Sequence, residues 1–335
     1  MLKFDLENLN GENFGSVELP SVEFIFCQMT AFKVDGSILT GGFLHDCELT
    51  EAEMKDSNLD GVSFTACSGE SFKIEDSSMN GVSLTENEFS KLIVSDSNLQ
   101  GASLVGNKLF QAQLSSNTFA QSKFELNTLN QATLSGSSLT DCTFSENEMF
   151  STCLKDLTLT DVRFTLNRFV ESSFSNVRGS SLMFGKNIFR DNLFLNFSFS
   201  RAHILASIEF QYSELTTCVW DFSKVNKPLK FLACEINQST LSFREGVIGL
   251  SKCRSKDSEF LMEDAEIVKG HFERPSFELT QTVFRNTTLV EPNFAQPLNV
   301  KRLTFIDCVV YRADFSAFRK DQLDFVNTDV STCTF

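Results

Sequence analysis

The segments DSNLDGVSF (56–64), DSSMNGVSL (76–84) and DSNLQGASL (96–104) begin 20 residues apart. Within each, a large apolar residue recurs every five positions: Leu59 and Phe64, Met79 and Leu84, Leu99 and Leu104. Extended at the same step, the series starts at Phe4 and reaches Ile204 without a change of phase. Of its 41 positions 39 are apolar, and the other two are Gly69 and Gly179. Neither an α-helix, at about 3.6 residues per turn, nor the two-residue alternation of a strand produces a period of five. Gly, Ser, Thr and Asn are also too frequent for helices. A period of five nested in a longer one marks a chain built of repeats.

The position two before each anchor is small or slim, as at Ala52, Ser57, Val62, Cys67, Ser77 and Val82. One large and one small inward side chain per segment fit a narrow tube around which the chain winds. Four segments then complete one coil, and the next coil stacks on it at about 4.8 Å, the spacing of paired strands. Residues one coil apart in sequence should stand directly above one another.

Short matches carry a family resemblance: Ala-Glu-Met at 52–54, Ala-Ser-Leu at 102–104, Ala-Gln-Leu at 112–114, Ala-Thr-Leu at 132–134 and Ala-Asp-Phe at 313–315. The chain resembles the pentapeptide-repeat family, whose motif is Ala, then Asp or Asn, then Leu or Phe, then two variable residues. The resemblance covers residues 4–204 without a break and most of the remainder in pieces. The chain departs from the motif by using Ser, Cys, Val and Asn where the family favours Ala. The resemblance implies an all-β fold, a right-handed quadrilateral β-helix. Such a pentapeptide-repeat solenoid would be rod-shaped, with each repeat touching only its neighbours.

Stacking accounts for several placements. Cys27, Cys47 and Cys67 share one inward column, which Asn87, Asn107, Asn127, Asn147, Asn167 and Asn187 continue. A ladder of Asn side chains passes hydrogen bonds from coil to coil, where a single buried Asn would be costly. Eight of the ten cysteines (Cys27, Cys47, Cys67, Cys142, Cys218, Cys234, Cys308 and Cys333) lie two before an anchor, a packing position for a small hydrophobe. Gly41, Gly61, Gly81 and Gly101 form a column expected at a corner needing a permissive backbone.

Residues 1–205 are read as the regular β-helix and 206–335 as its interrupted continuation. The frame slips once near 205–209, since Phe210, Leu215, Trp220 and Val225 follow one residue out of phase. Loops are expected near 226–230, which contains Pro228, over 244–258, and near 295–304. Between and beyond them the anchors Phe231, Ile236, Leu241, Ile267, Phe272, Phe277, Leu279, Phe284, Leu289, Phe294 and Phe305 resume the period. No polar capping segment is visible at either end, so self-association as a homodimer through an uncapped coil end is an expectation.

The 36 Phe against one Trp and two Tyr suit a dry interior position repeated many times. Net charge is −15, and residues 1–100 hold 18 acids and 5 bases. That field favours basic partners and disfavours nucleic acid and anionic membranes. The N-terminus lacks the pattern of a secretory signal, and no apolar stretch approaches a membrane span. A bacterial cytoplasmic location is therefore expected, with export by another route as the alternative.

Chemistry is not indicated. The three histidines have no metal-ligand spacing, and HExxH, GxxxxGK, GxSxG and CxxC patterns are absent. No enzyme, cofactor or metal is expected. The surface feature that stands out is Asp56, Asp76 and Asp96, one coil apart, with Glu48, Glu53, Glu75 and Glu88 in the same region. At about 4.8 Å, neighbouring unit charges repel by roughly 0.9 kcal/mol even in bulk water. Turn chemistry, with Asp accepting a corner N–H, is one explanation. Acids spaced to hold a cation or to meet a basic surface are others. The family resemblance extends to acidic DNA mimics that bind DNA gyrase and topoisomerase IV and protect them from quinolones. It also extends to solenoids of secreted bacterial effectors that bind host proteins, for which the Lys- and Arg-containing 244–258 segment is a candidate contact. A non-catalytic protein-interaction scaffold is the reading common to both.

Overall fold

The computed structural model describes residues 2–225, 227–244, 248–251, 254–256, 258–263, 266–268, 276–278, 280–285, 288–290 and 300–335. The chain divides into two units, 1–172 and 173–335. Both are stacks of parallel β coils, and no α-helix occurs among the described residues.

In the first unit each coil has four sides. Side one carries Lys3–Asp5 and the segments stacked on it, Glu23–Ile25, Phe43–His45 and Ser63–Thr65, paired with Phe4 opposite Phe24, Phe24 opposite Leu44 and Leu44 opposite Phe64. Side two carries Ser68–Glu70, Glu88–Ser90 and Lys108–Phe110. Side three carries Asn13–Gly15, Lys33–Asp35, Glu53–Lys55 and Lys73–Glu75. Side four carries Thr118–Ala120, Ser138–Thr140 and Thr158–Thr160. In the earliest coils sides two and four pair through isolated bridges, such as Asn8 to Gln28 and Glu18 to Ile38.

Each three-residue strand puts its anchor inward and its flanking residues outward, as in Glu23–Ile25 around buried Phe24. Chain direction then changes through one residue at positive φ, every fifth position: Gly61 at 68°, Ala66 at 54°, Ser71 at 59°, Asp76 at 49°. That left-handed residue is why a five-residue segment, and not a longer strand, is the unit. The Gly41, Gly61, Gly81 and Gly101 column occupies one such corner.

Anchors stack ring on ring where Phe repeats. Phe124 and Phe144 lie 4.4 Å apart at 5°, and Phe4 and Phe24 5.1 Å apart at 6°. The two glycine anchors are compensated three residues on. A Cβ at Gly69 would lie 2.8 Å from the Leu49 carbonyl carbon, and fully buried Phe72 fills the adjoining small position instead. In the second unit a Cβ at Gly179 would lie 2.8 Å from Leu182 Cδ1, and Leu182 is likewise buried.

The second unit changes the coil. Phe184 still pairs with Ile204, but Phe189 pairs with Phe210, so one extra residue enters between 204 and 210. Sides four and one then merge into one long strand: Ser198–Ile204, Val219–Val225 and Thr240–Arg244. Arg201 still has φ 54°, yet no left-handed residue occurs in the two following long strands. In these coils the other corners keep one, at Tyr212, Thr217, Ala233 and Gln238. Over residues 208–263 the expected quadrilateral outline therefore gives way to three strands per coil.

The expected loops also differ from what is seen. Within 244–258, Ile248–Ser251 pairs with Leu229–Leu232, and Arg254–Lys256 pairs with Glu235–Asn237. This coil advances 19 residues (229 to 248), so counting in fives cannot find it. Residues 245–247, 252, 253 and 257 lie outside the described residues. Near 226–230, Leu229–Leu232 is a strand, and near 295–304, Val300–Ile306 is a strand paired with Thr280–Arg285. Residues 226 and 291–299 lie outside the described residues, as do the anchors Phe272, Leu279 and Phe294. Phe305, Val310 and Phe315 are buried anchors of the last coils.

Candidate interaction surfaces

Asp56, Asp76 and Asp96 occupy one corner in three successive coils, directly after side three, at φ 48°, 49° and 51°. All three are exposed. The expected Asx turn does not form. The N–H of Asp56 donates to Glu75 O (3.2 Å), that of Ser57 to Ser77 Oγ (3.2 Å) and that of Asn58 to Ser37 O (2.8 Å), so the local donors are already used between coils. Among the described residues no hydrogen bond or ion pair meets any of the three carboxylates. Asp suits the position because it tolerates the left-handed conformation.

The four glutamates are divided. Glu53 and Glu75 lie on side three, which leads into the Asp corner; Glu48 and Glu88 lie across the preceding corner, on or beside side two. Side three is self-compensating, since Lys33 and Asp35, Glu53 and Lys55, and Lys73 and Glu75 alternate in sign along and across the strands. Glu53 takes ion pairs from Lys33 (3.2 Å) and Lys73 (3.4 Å). The hydrogen bond from Lys33 leads in holding its carboxyl below the usual range. Glu88 pairs with Lys108 at 3.1 Å. Such exposed pairs contribute little stability, about 0–1 kcal/mol each, but they remove free charge from the surface. The Asp corner has no such pair among the described residues.

A second edge was not indicated by the sequence reading. At the corner between sides one and two, the left-handed position is held by Leu6, Phe26, Asp46, Ala66, Glu86, Gly106, Leu126, Glu146 and Leu166 in successive coils. Leu6, Phe26, Leu126 and Leu166 are 78%, 50%, 54% and 44% exposed. The signal available was an apolar residue two after an anchor, recurring in multiples of 20. His45 points outward beside this edge, its Nε2 3.0 Å from Asp46 Oδ2 and its ring 5.6 Å from Phe43 and 5.8 Å from Phe26. Among the described residues no group of three or more His, Cys, Asp or Glu converges to hold a metal ion.

Residues 34–65 match the family model for pentapeptide repeats in eight copies. They lie inside the uninterrupted series whose coils are stacked as described above. The chain is a pentapeptide-repeat protein. No curated protein matches the sequence. Among solved structures, a trypsin-treated form of QnrB1, described as a plasmid-mediated fluoroquinolone resistance protein, is 16% identical with TM-score 0.37, over 47% of this chain and 83% of that one. HetL of the cyanobacterium Nostoc, described as involved in heterocyst differentiation regulation, is 14% identical with TM-score 0.24, over 76% and 87%. The tailspike receptor-binding domain of siphovirus 9NA is 7% identical with TM-score 0.32, over 91% and 76%.

In this pentapeptide-repeat protein the inward columns are closed to chemistry. Cys27, Cys47, Cys67, Cys142, Cys218, Cys234 and Cys308 are buried free thiols, while Cys333 and Cys153 are half-buried. Each buried thiol donates to carbonyls of its own and the preceding coil; Cys47 Sγ lies 3.3 Å from Phe24 O and 3.4 Å from His45 O. Burial pushes Cys218 from the usual 9.0 to about 11. Thiols of the Cys27 column are expected to react with DTNB only on denaturation, and rapid labelling of native protein would refute their inward placement. The raised Cys218 value has a direct consequence. The folded state keeps the proton that the unfolded thiol loses above pH 9, so its stabilising share is complete below pH 9 and is lost as pH rises toward 11. Urea midpoints measured across that range should fall less steeply in Cys218→Ser than in the parent.

Proposed function

We propose that this protein is a non-catalytic protein-interaction scaffold that presents the Asp56–Asp76–Asp96 corner to a basic surface on a partner protein. The observation carrying this reading is that the three carboxylates stand exposed, one per coil, with no ion pair to any of them among the described residues, while the neighbouring side neutralises its own charge. Like charges about 4.8 Å apart raise one another's free energy, and a basic partner relieves that repulsion. Glu53 and Glu75 form the rim of the surface, and Glu48 and Glu88 face elsewhere.

The finer reading is an acidic DNA mimic that enters the nucleic-acid groove of DNA gyrase or topoisomerase IV. A groove that neutralises phosphates would accept a regular carboxylate row by the same salt-sensitive attraction. A gyrase supercoiling assay, titrated with the protein at low and moderate salt, tests it. Inhibition or quinolone protection that weakens with salt, and disappears in the Asp56→Asn/Asp76→Asn/Asp96→Asn variant, is the expected result. No effect at micromolar protein removes gyrase as the partner. An equal effect of parent and variant removes the Asp corner as the contact.

A further inference from the structure

We propose that the corner between sides one and two of the first unit is a second docking edge, and that it takes a basic amphipathic helix of a partner protein. A bulky side chain in the left-handed region is disfavoured, by roughly 1–2 kcal/mol, and the fold needs only that some residue adopt it. The other three corners of this unit place Gly, Ser, Ala, Asp, Glu, Lys or Gln there. Leu6, Phe26, Leu126 and Leu166 all fall on this one corner, where their side chains point outward and contribute nothing to the interior. Strained and exposed apolar residues confined to one edge fit a contact made outside the molecule.

The edge also specifies its occupant. Asp46, Glu86 and Glu146 hold the same left-handed position in intervening coils. Leu126, Glu146 and Leu166 therefore follow one another at about 0, 4.8 and 9.6 Å along the stack. An α-helix lying along the edge presents side chains one turn apart at about 5.4 Å and seven residues apart at about 10.5 Å. Leu or Phe at i and i+7, with Lys or Arg between them, would meet Leu126, Glu146 and Leu166 in that order. The carboxylates make an anionic membrane an unsuitable occupant. This edge lies two corners away from Asp56, Asp76 and Asp96, so the two surfaces are separable by mutation.

The test is fluorescence anisotropy with a labelled amphipathic helical peptide of Leu and Lys, and with a Leu and Glu peptide of the same pattern. The Leu/Lys peptide should bind saturably, and the Leu/Glu peptide should not. Affinity should fall at least tenfold in Leu126→Asn/Leu166→Asn and severalfold in Glu146→Gln, and stay unchanged in the triple Asp variant. Asn is chosen because it accepts the left-handed conformation, so the thermal midpoint of the Leu variants should not drop. No binding of the Leu/Lys peptide, or binding insensitive to the Leu substitutions, would overturn the proposal. Equal loss in the triple Asp variant would show a general charge effect and would overturn it as well. Association with phosphatidylserine vesicles in place of the peptide would assign the edge to membranes and reject the helix.

Discussion

Replacing Phe124 by Ala should cost about 3–5 kcal/mol of folding stability. The side chain is 1% exposed, its ring lies 4.4 Å from Phe144 in a parallel stack, and it meets Phe119 edge-on at 5.3 Å. The site is poorly able to collapse. Phe124 already borders an apolar cavity of about 20 Å³ lined also by Leu129, Phe144, Met149 and Leu154. Deleting the ring enlarges that space while the inter-coil hydrogen bonds hold the surrounding backbone at fixed spacing, so the transfer cost and the cavity cost add. Urea unfolding of the parent and Phe124→Ala measures the difference. A loss below about 1 kcal/mol, the ordinary effect of a surface change, would contradict the inward assignment of the whole anchor series.

Asn127→Ala should cost about 3 kcal/mol or more for a different reason. Asn127 Oδ1 accepts from the backbone N–H of Asn107 (2.9 Å) and from Asn107 Nδ2 (3.0 Å), and Asn127 Nδ2 donates to Leu104 O (2.8 Å). Removing the amide strands two donors and an acceptor in a dry interior, each at about 1–3 kcal/mol. Asn127→Ser should cost markedly less. In the inward column on the opposite side of the coil Ser137 Oγ already takes the N–H of Asn117 at 3.0 Å, so a hydroxyl can serve the donor from the preceding coil. Equal midpoints for the Ala and Ser variants would show that the ladder's hydrogen bonds do not matter to stability.

The first unit was legible because one rule governs it. Anchors, small positions, the Cys and Asn columns and the glycine corner all follow from counting in fives and twenties, and each lies where that count puts it. Beyond residue 204 no single count holds. Pairing advances 21 residues from Phe210 to Phe231, 19 from Leu229 to Ile248 and 22 from Arg254 to Ser276. Strands whose spacing keeps changing look like loops when only one period is sought. The phase slip at 205–209 was readable, but the lost corner within Val219–Val225 was not: losing a corner is a backbone event with no side-chain signature. The surface was read less well. Stacking alone would have shown Lys33, Glu53 and Lys73 neutralising one another. The apolar corner went unread because a lone exposed Leu is unremarkable until three-dimensional register aligns it with others. Phe72 beside Gly69 was missed for a similar reason, since the compensation appears only when the tube is seen to have a fixed width.

The pairing of Gly179 with Leu182 bears on how such a gene lengthens and diverges. A duplicated block spanning one whole coil carries its own matched inward pair and its own acceptor for the coil beneath, so it can be spliced in as a working module. Point substitution is more constrained. A larger residue at position 179 meets the Leu182 side chain before Leu182 can shrink, and a smaller residue at 182 opens a hole before position 179 can grow. The two positions are locked in an epistatic pair, each intermediate less fit than either end. In-frame duplication and loss of coils is thus the easier evolutionary path, and side-chain drift inside the tube the harder one.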